Sequence, residues 1–264
     1  MVYIRCNSLR MGYDEFRNRM SKYNVEPVDW YKYAFFVDSY NVSKTIEYML
    51  GYFYVQSLSS MVPVFLLNPL PNDVLLDLCA APGSKATQAA MHMQNKGILV
   101  ANDASYMRLK SLVSHIDRLG ITNIVVTNYD GSKFPGNMKF TKVLVDAPCS
   151  SLGSRKAVYD YSQNRINSLS RLQKSLILRG YDLLIDGGTL VYSTCTTTME
   201  ENEMVIEHLL SKRDDAIVEN ISLPFPSENG ISSNSAVDDF VRRFELDEKF
   251  FVAKIKKGGM HGSV

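Results

Sequence analysis

Two cysteines and an aspartate stand just beyond two apolar runs of the chain, where the sequence turns abruptly to small polar residues. The first run, Val143-Leu-Val-Asp-Ala-Pro-Cys-Ser150, carries Asp146 and Cys149, and the second, Val191-Tyr-Ser-Thr-Cys-Thr196, carries Cys195. Such runs are typical of buried parallel strands, whose carboxyl ends form the ligand-binding rim of an open α/β sheet. The sequence therefore predicts that a carboxylate and two thiols meet at one rim. Thiolates are nucleophiles and carboxyl groups hold or move protons, so these side chains suit nucleophilic chemistry.

A structural interpretation of these cysteines competes with the chemical one, because free cysteine is among the residue types most often buried. Their position weakens it: Cys149 is followed by serines and a glycine, where a loop should be open, and Cys195 stands between threonines. Cys79 also follows a predicted strand but lies in a tight turn, and by position alone we interpret it as structural. The surroundings of Cys6 suggest no role.

A second pattern, Asp77-Leu-Cys-Ala-Ala-Pro-Gly-Ser-Lys85, links a predicted strand to a helix. Its small residues allow the backbone to approach a ligand closely, and the helix start supplies free N–H donors. It contains neither the G-x-G-x-x-G fingerprint nor a P-loop. By itself, it also fits a simple strand-to-helix turn.

Two further aspartates strengthen the case for a ligand at this rim. Asp103 ends the second predicted strand, where a carboxylate can accept both hydroxyls of a ribose, and Asp130 follows the third, where it can accept from an adenine amino group. Each aspartate alone is also typical of a turn or a helix cap. Three such strand ends in series favour a nucleoside cofactor lying across the rim.

The elements that must position these residues alternate between strands and helices, which predicts an α/β fold with a mostly parallel sheet covered by helices on both faces. Gly187-Gly188 is predicted to stop the longest helix, and two late strands are predicted to form an antiparallel edge hairpin. Residues 224–235 are predicted to form a loop. The predicted strands span 2–5, 74–79, 97–102, 123–128, 142–146, 189–193, 215–223 and 249–256, with an extended stretch at 51–57. The predicted helices span 14–23, 45–50, 59–67, 84–93, 106–119, 165–185 and 200–211.

Residues 1–45 are predicted to form a small α+β cap, and residues 46–264 the catalytic domain. The cap is rich in aromatic and basic residues, which fits both inward packing and a surface that holds RNA. The net charge of the whole chain is only +1, so a nucleic-acid surface must be a local patch. The basic residues that we assign to such a patch are Arg5, Arg10, Arg17, Arg19 and Lys22 in the cap, and Arg155 and Lys156 after the Cys149 loop.

Composition excludes several other classes of protein. The chain is 45% hydrophobic and 22% charged, as expected for a globular protein, and its 264 residues suit one sizeable domain with a small appendage. Its four cysteines are scattered without a C-x-x-C pair, which disfavours a zinc site and favours free thiols in a reducing cytoplasm. Neither a signal peptide nor a membrane-spanning run is found, and we expect a cytoplasmic monomer without metal.

Several motifs occur in the order in which they occur in RNA cytosine-C5 methyltransferases of the RsmB/Nop2/Sun family, which this chain resembles. The resemblance covers most of residues 50–210 and is most similar to compact archaeal-type tRNA enzymes. It departs from the family pattern at Ser151, where glycine is common, at Ala86, where threonine is common, and at Glu248-Lys249, where Asp-Gly is usual. The stretches that carry the resemblance are Leu76 to Lys85, Ala101-Asn-Asp103 with Arg108, Tyr129-Asp-Gly131, Val145 to Ser150, Tyr192 to Thr196 and Glu200-Glu-Asn-Glu203, together with Tyr3 to Arg10.

The resemblance implies a Rossmann-like fold that binds S-adenosylmethionine. It implies that Asp103 binds the ribose with Arg108 in the same site, that Asp130 lies beside the adenine, and that Asp146 lies near the methionine moiety and the target base. It further implies that Cys195 is the nucleophile and that Cys149 assists product release. The implied cofactor loop consists of Cys79, Ala80, Ala81, Pro82, Gly83, Ser84 and Lys85.

The chemistry of cytosine explains these residue types. C5 of cytosine is too electron-poor to take a methyl group unaided, but a thiolate that adds to C6 makes C5 nucleophilic. Asp146 is suited to hold N3 during that addition, and the base must be unpaired or flipped to be reached. The leading hypothesis is methylation of tRNA; methylation of ribosomal RNA is the nearest alternative. A methyltransferase for small molecules or proteins would not need both cysteines, and an inactive RNA-binding scaffold would not need to keep Asp146, Cys149 and Cys195.

Overall fold

The computed structural model describes residues 2–38, 41–154 and 162–259. The strands are β1 (Val2–Cys6), β2 (Val25–Pro27), β3 (Ala34–Val37), β4 (Phe53–Val55), β5 (Val74–Asp77), β6 (Ile98–Asn102), β7 (Ile124–Thr127), β8 (Phe140–Asp146), β9 (Leu184–Thr194), β10 (Ala216–Val218), β11 (Arg242–Glu245) and β12 (Lys249–Lys257). The α-helices are α1 (Tyr13–Met20), α2 (Ile46–Met49), α3 (Leu58–Leu67), α4 (Ser84–His92), α5 (Tyr106–Leu119), α6 (Gln163–Asp182), α7 (Glu203–Leu210) and α8 (Ser235–Asp238). None of these helices combines the length and the apolar character that crossing a membrane requires.

The larger sheet has the strand order β10-β12-β9-β8-β5-β6-β7. The strands from β9 to β7 in this order run parallel to one another, whereas β12 is antiparallel to β9, β10 and β11. The predicted α/β fold, with a mostly parallel sheet and an antiparallel edge, is therefore confirmed. In this order β8 and β9 are neighbours, and so are β5 and β6, which brings the two pairs of functional strand ends to one rim.

Helices cover both faces of the sheet, because the central strands are apolar on both. Leu76 and Val143 pack with α6 and α7 on one face, whereas Leu75 and Leu144 pack with α3, α4 and α5 on the other. All four side chains are fully buried. Continuous apolar runs, rather than alternating ones, are what a parallel strand buried on both faces requires.

Local signals fix α5 at the predicted residues 106–119. Ser105 accepts a hydrogen bond from the Arg108 N–H at the start of the helix, and Gly120 ends it with a φ of +71°. A left-handed residue after the last turn favours glycine, which has no Cβ to clash. The helix therefore delivers Arg108, in its first turn, to the rim next to Asp103.

The predicted end of the longest helix is wrong. Helix α6 ends at Asp182 and β9 begins at Leu184, so Gly187-Gly188 lies inside the strand. The pairing of β8 with β9 shifts between Phe140↔Leu184 and Lys142↔Thr189, which leaves extra residues on β9. Gly187 has a φ of +73° at this irregularity. The glycine pair thus accommodates a bulge at the start of a strand, a role that glycine also favours.

Four short elements were not predicted. In the cap, β2 and β3 lie in the aromatic stretch after α1, and β11 and α8 lie near the predicted loop at 224–235. Each of them has only three or four residues, too few to show a clear period of two or of 3.6. Of the three strands among them, β2 pairs with β3, β3 pairs with β1, and β11 pairs with β12.

A second, four-stranded antiparallel sheet with the order β2-β3-β1-β4 forms the N-terminal part of the molecule. Phe16 and Met20 of α1 pack on it against Phe35 and Phe53, and all four side chains are fully buried. The aromatic residues therefore pack inward here, as one of the two interpretations of the cap requires. The sheet includes β4 and so contains residues on both sides of the boundary placed at residue 45.

Arg5 does not belong to a surface patch, contrary to its assignment from the sequence. It is 2% exposed and donates hydrogen bonds to Gln56 Oε1 at 2.5 Å, Ser84 O at 2.7 Å and Thr87 Oγ1 at 2.9 Å. Its guanidinium also lies 5.3 Å from the centre of the Tyr54 ring. Arg5 therefore ties the N-terminal sheet to the first turn of α4 and cannot reach an RNA phosphate.

Candidate active site

The two thiols predicted at the rim lie against each other. Cys149 follows β8 and Cys195 follows β9, and these strands pair in parallel with Asp146 opposite Ser193. The two Sγ atoms are 3.2 Å apart. Both cysteines are free thiols of intermediate exposure. Adjacent parallel strands with matched register are what bring the side chains together from positions 46 residues apart.

The hydrogen bond between the two thiols shifts their pKa values in opposite directions. It raises the pKa of Cys149, and burial adds to that effect. The same hydrogen bond lowers the pKa of Cys195, and a second one, between Sγ and the Ser151 hydroxyl at 3.5 Å, lowers it further. The two directions fit the predicted roles of the cysteines, because the thiolate is the nucleophilic form.

Ser151 stands where the family commonly has glycine, and the backbone explains that preference. Its φ is +59°, in the left-handed region that favours glycine. The serine side chain adds a hydroxyl that lies 3.9 Å from Cys149 Sγ as well as near Cys195. This departure therefore places a hydroxyl beside both thiols.

Asp146 lies at the same rim, joined to the cofactor loop by an ion pair. Lys85 Nζ is 2.7 Å from Asp146 Oδ2, and Ser193 Oγ donates to Asp146 Oδ1 at 2.7 Å. Lys85 Nζ also donates to Ser60 Oγ at 2.9 Å. The lysine side chain is 6% exposed and the aspartate side chain 30% exposed, so one edge of the carboxylate remains open to a ligand. Sequence reasoning missed both serines: Ser60 stands in no motif, and Ser193 lies in the Cys195 motif but was given no role.

The predicted cofactor loop, residues 79–85, connects β5 to α4 in a conformation that requires glycine. Gly83 has a φ of +111°, and a Cβ there would lie 2.7 Å from Leu112 Cδ1. The Ala80 N–H donates to Asn102 O at 2.7 Å, and the Ala81 N–H donates to Asp103 Oδ2 at 3.2 Å. The loop is therefore held against the end of β6, where Asp103 lies.

The aspartates of the cofactor side have partners of their own. Asp103 is 3% exposed, accepts a hydrogen bond from the Ser105 N–H at 2.9 Å and forms an ion pair of 3.1 Å with Arg108. Asp130 is exposed and accepts from the N–H and the hydroxyl of Ser132, and that hydroxyl lowers the pKa of the Asp130 carboxyl. The structure thus places both at the rim, and their contacts with a nucleoside remain predictions.

Asp77, the last residue of β5, is a candidate that sequence reasoning missed. It is 0% exposed, and neither carboxylate oxygen makes a hydrogen bond of good geometry. Burial and the charge of Asp146 raise the pKa of Asp77 to about 8, against the opposing effects of Lys85 and the Cys79 backbone. The sequence feature that could have identified Asp77 is an aspartate at the end of an otherwise apolar strand. Buried polar groups without partners are rare and indicate a functional role or an unseen partner.

These residues fit a nucleoside cofactor that carries positive charge. A loop closed by a left-handed glycine admits a close approach of backbone, Asp103 directly follows β6 beside this loop, and Asp77 and Asp146 add carboxyl groups there. Arg155 and Lys156, assigned to the RNA patch, lie outside the described residues.

The sequence of this chain matches one family model and is similar to known RNA methyltransferases. A family model described as 16S rRNA methyltransferase RsmB/F matches residues 64–256, which contain every rim residue discussed above. The chain is 39% identical to the tRNA (cytosine(49)-C(5))-methyltransferase of Pyrococcus abyssi over 96% of this chain and 87% of that protein. It is also 39% identical to the ribosomal RNA small subunit methyltransferase F of Vibrio cholerae over 96% of this chain, but it spans only 57% of that protein.

Solved structures show the same fold. The crystal structure of NSun6 from Pyrococcus horikoshii with SFG, an analogue of S-adenosylmethionine, matches with a TM-score of 0.87 and 26% identity, covering 98% of this chain and 91% of that one. A methyltransferase homologue from Pyrococcus horikoshii matches with a TM-score of 0.84 and 30% identity, covering 97% of this chain and 86% of that one. Both likenesses extend through the N-terminal sheet as well as the larger one.

Proposed function

Because the chain belongs to the RsmB/F family of S-adenosylmethionine-dependent RNA methyltransferases, we propose that it methylates C5 of a cytosine in tRNA through a covalent intermediate. The observation that carries this proposal is the pair of thiols 3.2 Å apart, with the Lys85–Asp146 ion pair at the same rim. A methyltransferase acting on an already nucleophilic atom would need neither thiol. Two thiols in contact suit a reaction in which one forms a bond and the other helps to break it.

The residues that would hold S-adenosylmethionine are those of the cofactor side of the rim. Asp103 would accept from the ribose, residues 79–85 would contact the methionine moiety, and Asp130 would lie near the adenine. When bound, the cofactor supplies an electrophilic methyl group. Asp77 and Asp146 add carboxyl groups beside the loop that would hold that group.

The first covalent step uses Cys195. Its thiolate adds an electron pair to C6 of the cytosine, which forms an S–C6 bond and makes C5 nucleophilic. The addition places negative charge on N3, and Asp146, fixed by Lys85 and Ser193, donates a proton to N3 that it takes back when the product is released. With the cofactor bound, C5 would take its methyl group, and the electron pair of the broken S–CH3 bond would stay on the cofactor's sulfur.

The second step releases the product. The methylated C5 must lose its proton, and the S–C6 bond must break with its electron pair returning to Cys195. Cys149, which keeps its proton because its pKa is raised, lies 3.2 Å from that sulfur and donates to the departing thiolate, and the Cys149 thiolate that this leaves accepts the proton from C5. Without Cys149, the enzyme should remain attached to its RNA.

RNA would enter through a cleft of about 430 Å³ beside Thr196, next to Cys195. The exposed Lys249 lines this cleft and would supply positive charge for phosphates, whereas Arg243 in the same lining is already paired with Glu203 at 2.6 Å. In the cap, Arg19 and Lys22 both form ion pairs with the buried Glu47. Of the basic residues assigned to the cap patch, Arg10 and Arg17 are therefore the exposed ones without a described acidic partner.

The tRNA substrate is taken from the name of the archaeal relative, of which this chain covers the larger share. The archaeal tRNA enzyme is covered over 87% of its length, whereas the ribosomal enzyme of Vibrio cholerae is covered over 57%. The test is in vitro methylation of unmodified tRNA and ribosomal RNA with labelled cofactor, followed by bisulfite mapping. We expect label at a cytosine of tRNA. Label confined to ribosomal RNA would contradict the tRNA assignment and support the alternative.

A further inference from the structure

The stretch Glu200-Glu-Asn-Glu203 marked the family resemblance but has no part in the reaction described above. Two of its residues reach the loops of both cysteines. We propose that Glu201 and Asn202 are positioning residues, one for each thiol: Glu201 holds Cys149, and Asn202 holds Cys195. This inference rests on the proposed covalent mechanism.

Glu201 binds the residue that follows Cys149. Its Oε2 accepts from the Ser150 N–H at 2.9 Å, and its Oε1 accepts from the Ser150 hydroxyl at 2.5 Å. The carboxylate is 0% exposed. Glu201 therefore binds both the backbone and the side chain of Ser150, which leaves the Cys149 loop little freedom to shift.

Gln173 of α6 binds the residue on the other side of Cys149. Its Nε2 donates to the Pro148 carbonyl at 2.8 Å and to Glu201 Oε2 at 2.9 Å. Both neighbours of Cys149, Pro148 and Ser150, are thus fixed by one connected set of hydrogen bonds. The set has no contact with the sulfur itself, so it acts on position rather than on reactivity.

Asn202 holds Cys195 in the same way. Its Oδ1 accepts from the Thr194 hydroxyl at 2.5 Å, and its Nδ2 donates to the Thr196 carbonyl at 3.1 Å. Thr194 and Thr196 are the two neighbours of Cys195. Asn202 is 0% exposed, and its amide is used at both ends, which a carboxylate of the same shape could not do.

One hydrogen bond joins the contacts made by Glu201 to those made by Asn202. The Ser150 hydroxyl lies 2.7 Å from Thr196 Oγ1, which connects the loop after Cys149 to the loop after Cys195. Consecutive residues of one segment therefore fix the separation of the two sulfurs. Because a shift of about 1 Å can cost on the order of 100-fold in rate, this separation is a natural target for positioning residues.

Glu201 is an unusual choice for a purely structural role. Among the described residues none forms an ion pair with it, and its hydrogen-bond donors are neutral groups of Ser150, Gln173 and Thr198. A buried carboxylate without a cation is costly unless its hydrogen bonds are satisfied. Here all of the satisfying donors lie on or next to the two cysteine loops and on α6.

The test uses the full chain with unmodified tRNA and S-adenosylmethionine, read on a denaturing gel beside Cys149→Ala and Cys195→Ala. Glu201→Ala should behave like Cys149→Ala: protein bound to RNA accumulates, and kcat falls by about 10- to 100-fold while the RNA KM and the cofactor Kd stay unchanged. Asn202→Asp should behave like Cys195→Ala, because its carboxylate faces the Thr196 carbonyl. Little adduct should form, even when combined with Cys149→Ala.

Two further variants separate positioning from general damage. Glu201→Gln should restore much of the turnover, because its amide can accept from the Ser150 N–H while donating to hydroxyls. Glu200→Ala is the matched control, since its carboxylate accepts from the exposed Gln163 at 3.0 Å and contacts neither cysteine loop. It should turn over like the unaltered chain. If Glu201→Ala does not fold, Ser150→Ala removes the hydroxyl contacts with Glu201 and Thr196 but leaves the N–H contact with Glu201, and it should trap adduct to a smaller extent.

The outcomes distinguish the inference from the function on which it rests. If Cys149→Ala itself forms no adduct, the covalent mechanism fails and the positioning roles fall with it. If Cys149→Ala traps RNA but Glu201→Ala and Ser150→Ala do not, the mechanism stands and the role of Glu201 is wrong. If the changes at Glu201 and Asn202 lower activity alike, with no difference in adduct, both residues are merely structural.

Discussion

The two halves of the rim are built in different ways. On the cofactor half, the carboxylate of Asp103 is covered by Arg108, whose side chain is 52% exposed, and Asp130 is bound only to its own turn. On the thiol half, the loops of Cys149 and Cys195 are tied down by Glu201 and Asn202, which are both fully buried. On the cofactor half, Arg108 and Asp130 are exposed and can exchange partners, although Asp103 itself is buried. On the thiol half, the supporting residues cannot be reached without opening the core.

The difference follows from what each half must do. A cofactor enters and leaves in every turnover, so its carboxylates need partners that a ribose or an amine can displace. The thiols stay, and their reaction depends on a fixed separation. Lys85 joins the halves, since it ends the cofactor loop and binds Asp146 beside the thiols.

Replacing Lys85 should break the connection and have the largest effect. Lys85→Met leaves Asp146 without its cation and frees the end of the cofactor loop. Removing one member of a buried pair costs about 3–5 kcal/mol, and because Asp146 is 30% exposed we expect about 2 kcal/mol, or roughly 30-fold in the rate of methyl transfer. Single-turnover transfer at saturating cofactor measures this. Lys212→Met, an exposed change far from the rim, is the control, and equal rates for the two variants would contradict the connection.

Asp103→Ala should weaken the cofactor half alone. Loss of a charged acceptor costs about 1.5–3 kcal/mol, or roughly 10- to 100-fold in the Kd of S-adenosylmethionine. Calorimetry with the cofactor measures the change, and RNA affinity serves as the control because it should not move. An unaltered Kd would remove Asp103 from the site.

Asp77→Asn should reveal the buried carboxyl group through the pH dependence of the melting temperature. The folded protein retains this proton up to a pKa of about 8, whereas an aspartate in the unfolded chain loses it near 3.8. Raising the pH between these values therefore favours unfolding, and the effect levels off above about 8. The variant cannot ionise at this position. As the pH rises through this range, the melting temperature of the variant should therefore increase relative to that of the unaltered chain by at least about 2–4 °C, which corresponds to about 1 kcal/mol. A difference that does not change between pH 5 and pH 8 would contradict the raised pKa.

The smallest effect is expected far from the rim, in the cap. Arg17→Ala should lower the slope of log affinity for tRNA against log salt by about 0.9, the value for one phosphate contact. Lys22→Ala should leave the slope unchanged, because Lys22 is already paired with Glu47 at 3.0 Å. A slope that responds to neither variant would place the phosphate contacts elsewhere.

What the sequence could predict depends on how local the signal is. Helix α5 was placed to the residue because its cap and its terminal glycine adjoin it, and the meeting of the two thiols followed from two apolar runs with the same ending. Arg5 was wrongly assigned to the RNA patch because its partners lie at least 51 residues away and are neutral, so no charge pattern in the sequence indicates them. These partners are Gln56, Ser84 and Thr87.

The glycine pair at 187–188 shows the limit of a strong local signal. Glycine can end a helix or relieve a strand, and only the pairing of β9 with β8 decides between the two. Similarly, Glu201 and Asn202 stood in a visible motif, but their function depends on Ser150 and Thr196, which only the folded sheet brings to them. Local chemistry predicted the elements and the reactive groups, whereas tertiary contacts determined their supports.

The account depends most directly on the assignment of opposite roles to the two thiols. Cys149→Ala and Cys195→Ala are each incubated with unmodified tRNA and S-adenosylmethionine and separated on a denaturing gel. We predict a shifted, nuclease-sensitive band with Cys149→Ala, which can form the S–C6 bond but not resolve it, and no such band with Cys195→Ala. A band with Cys195→Ala instead would reverse the roles, and normal turnover by both variants would contradict the covalent mechanism altogether.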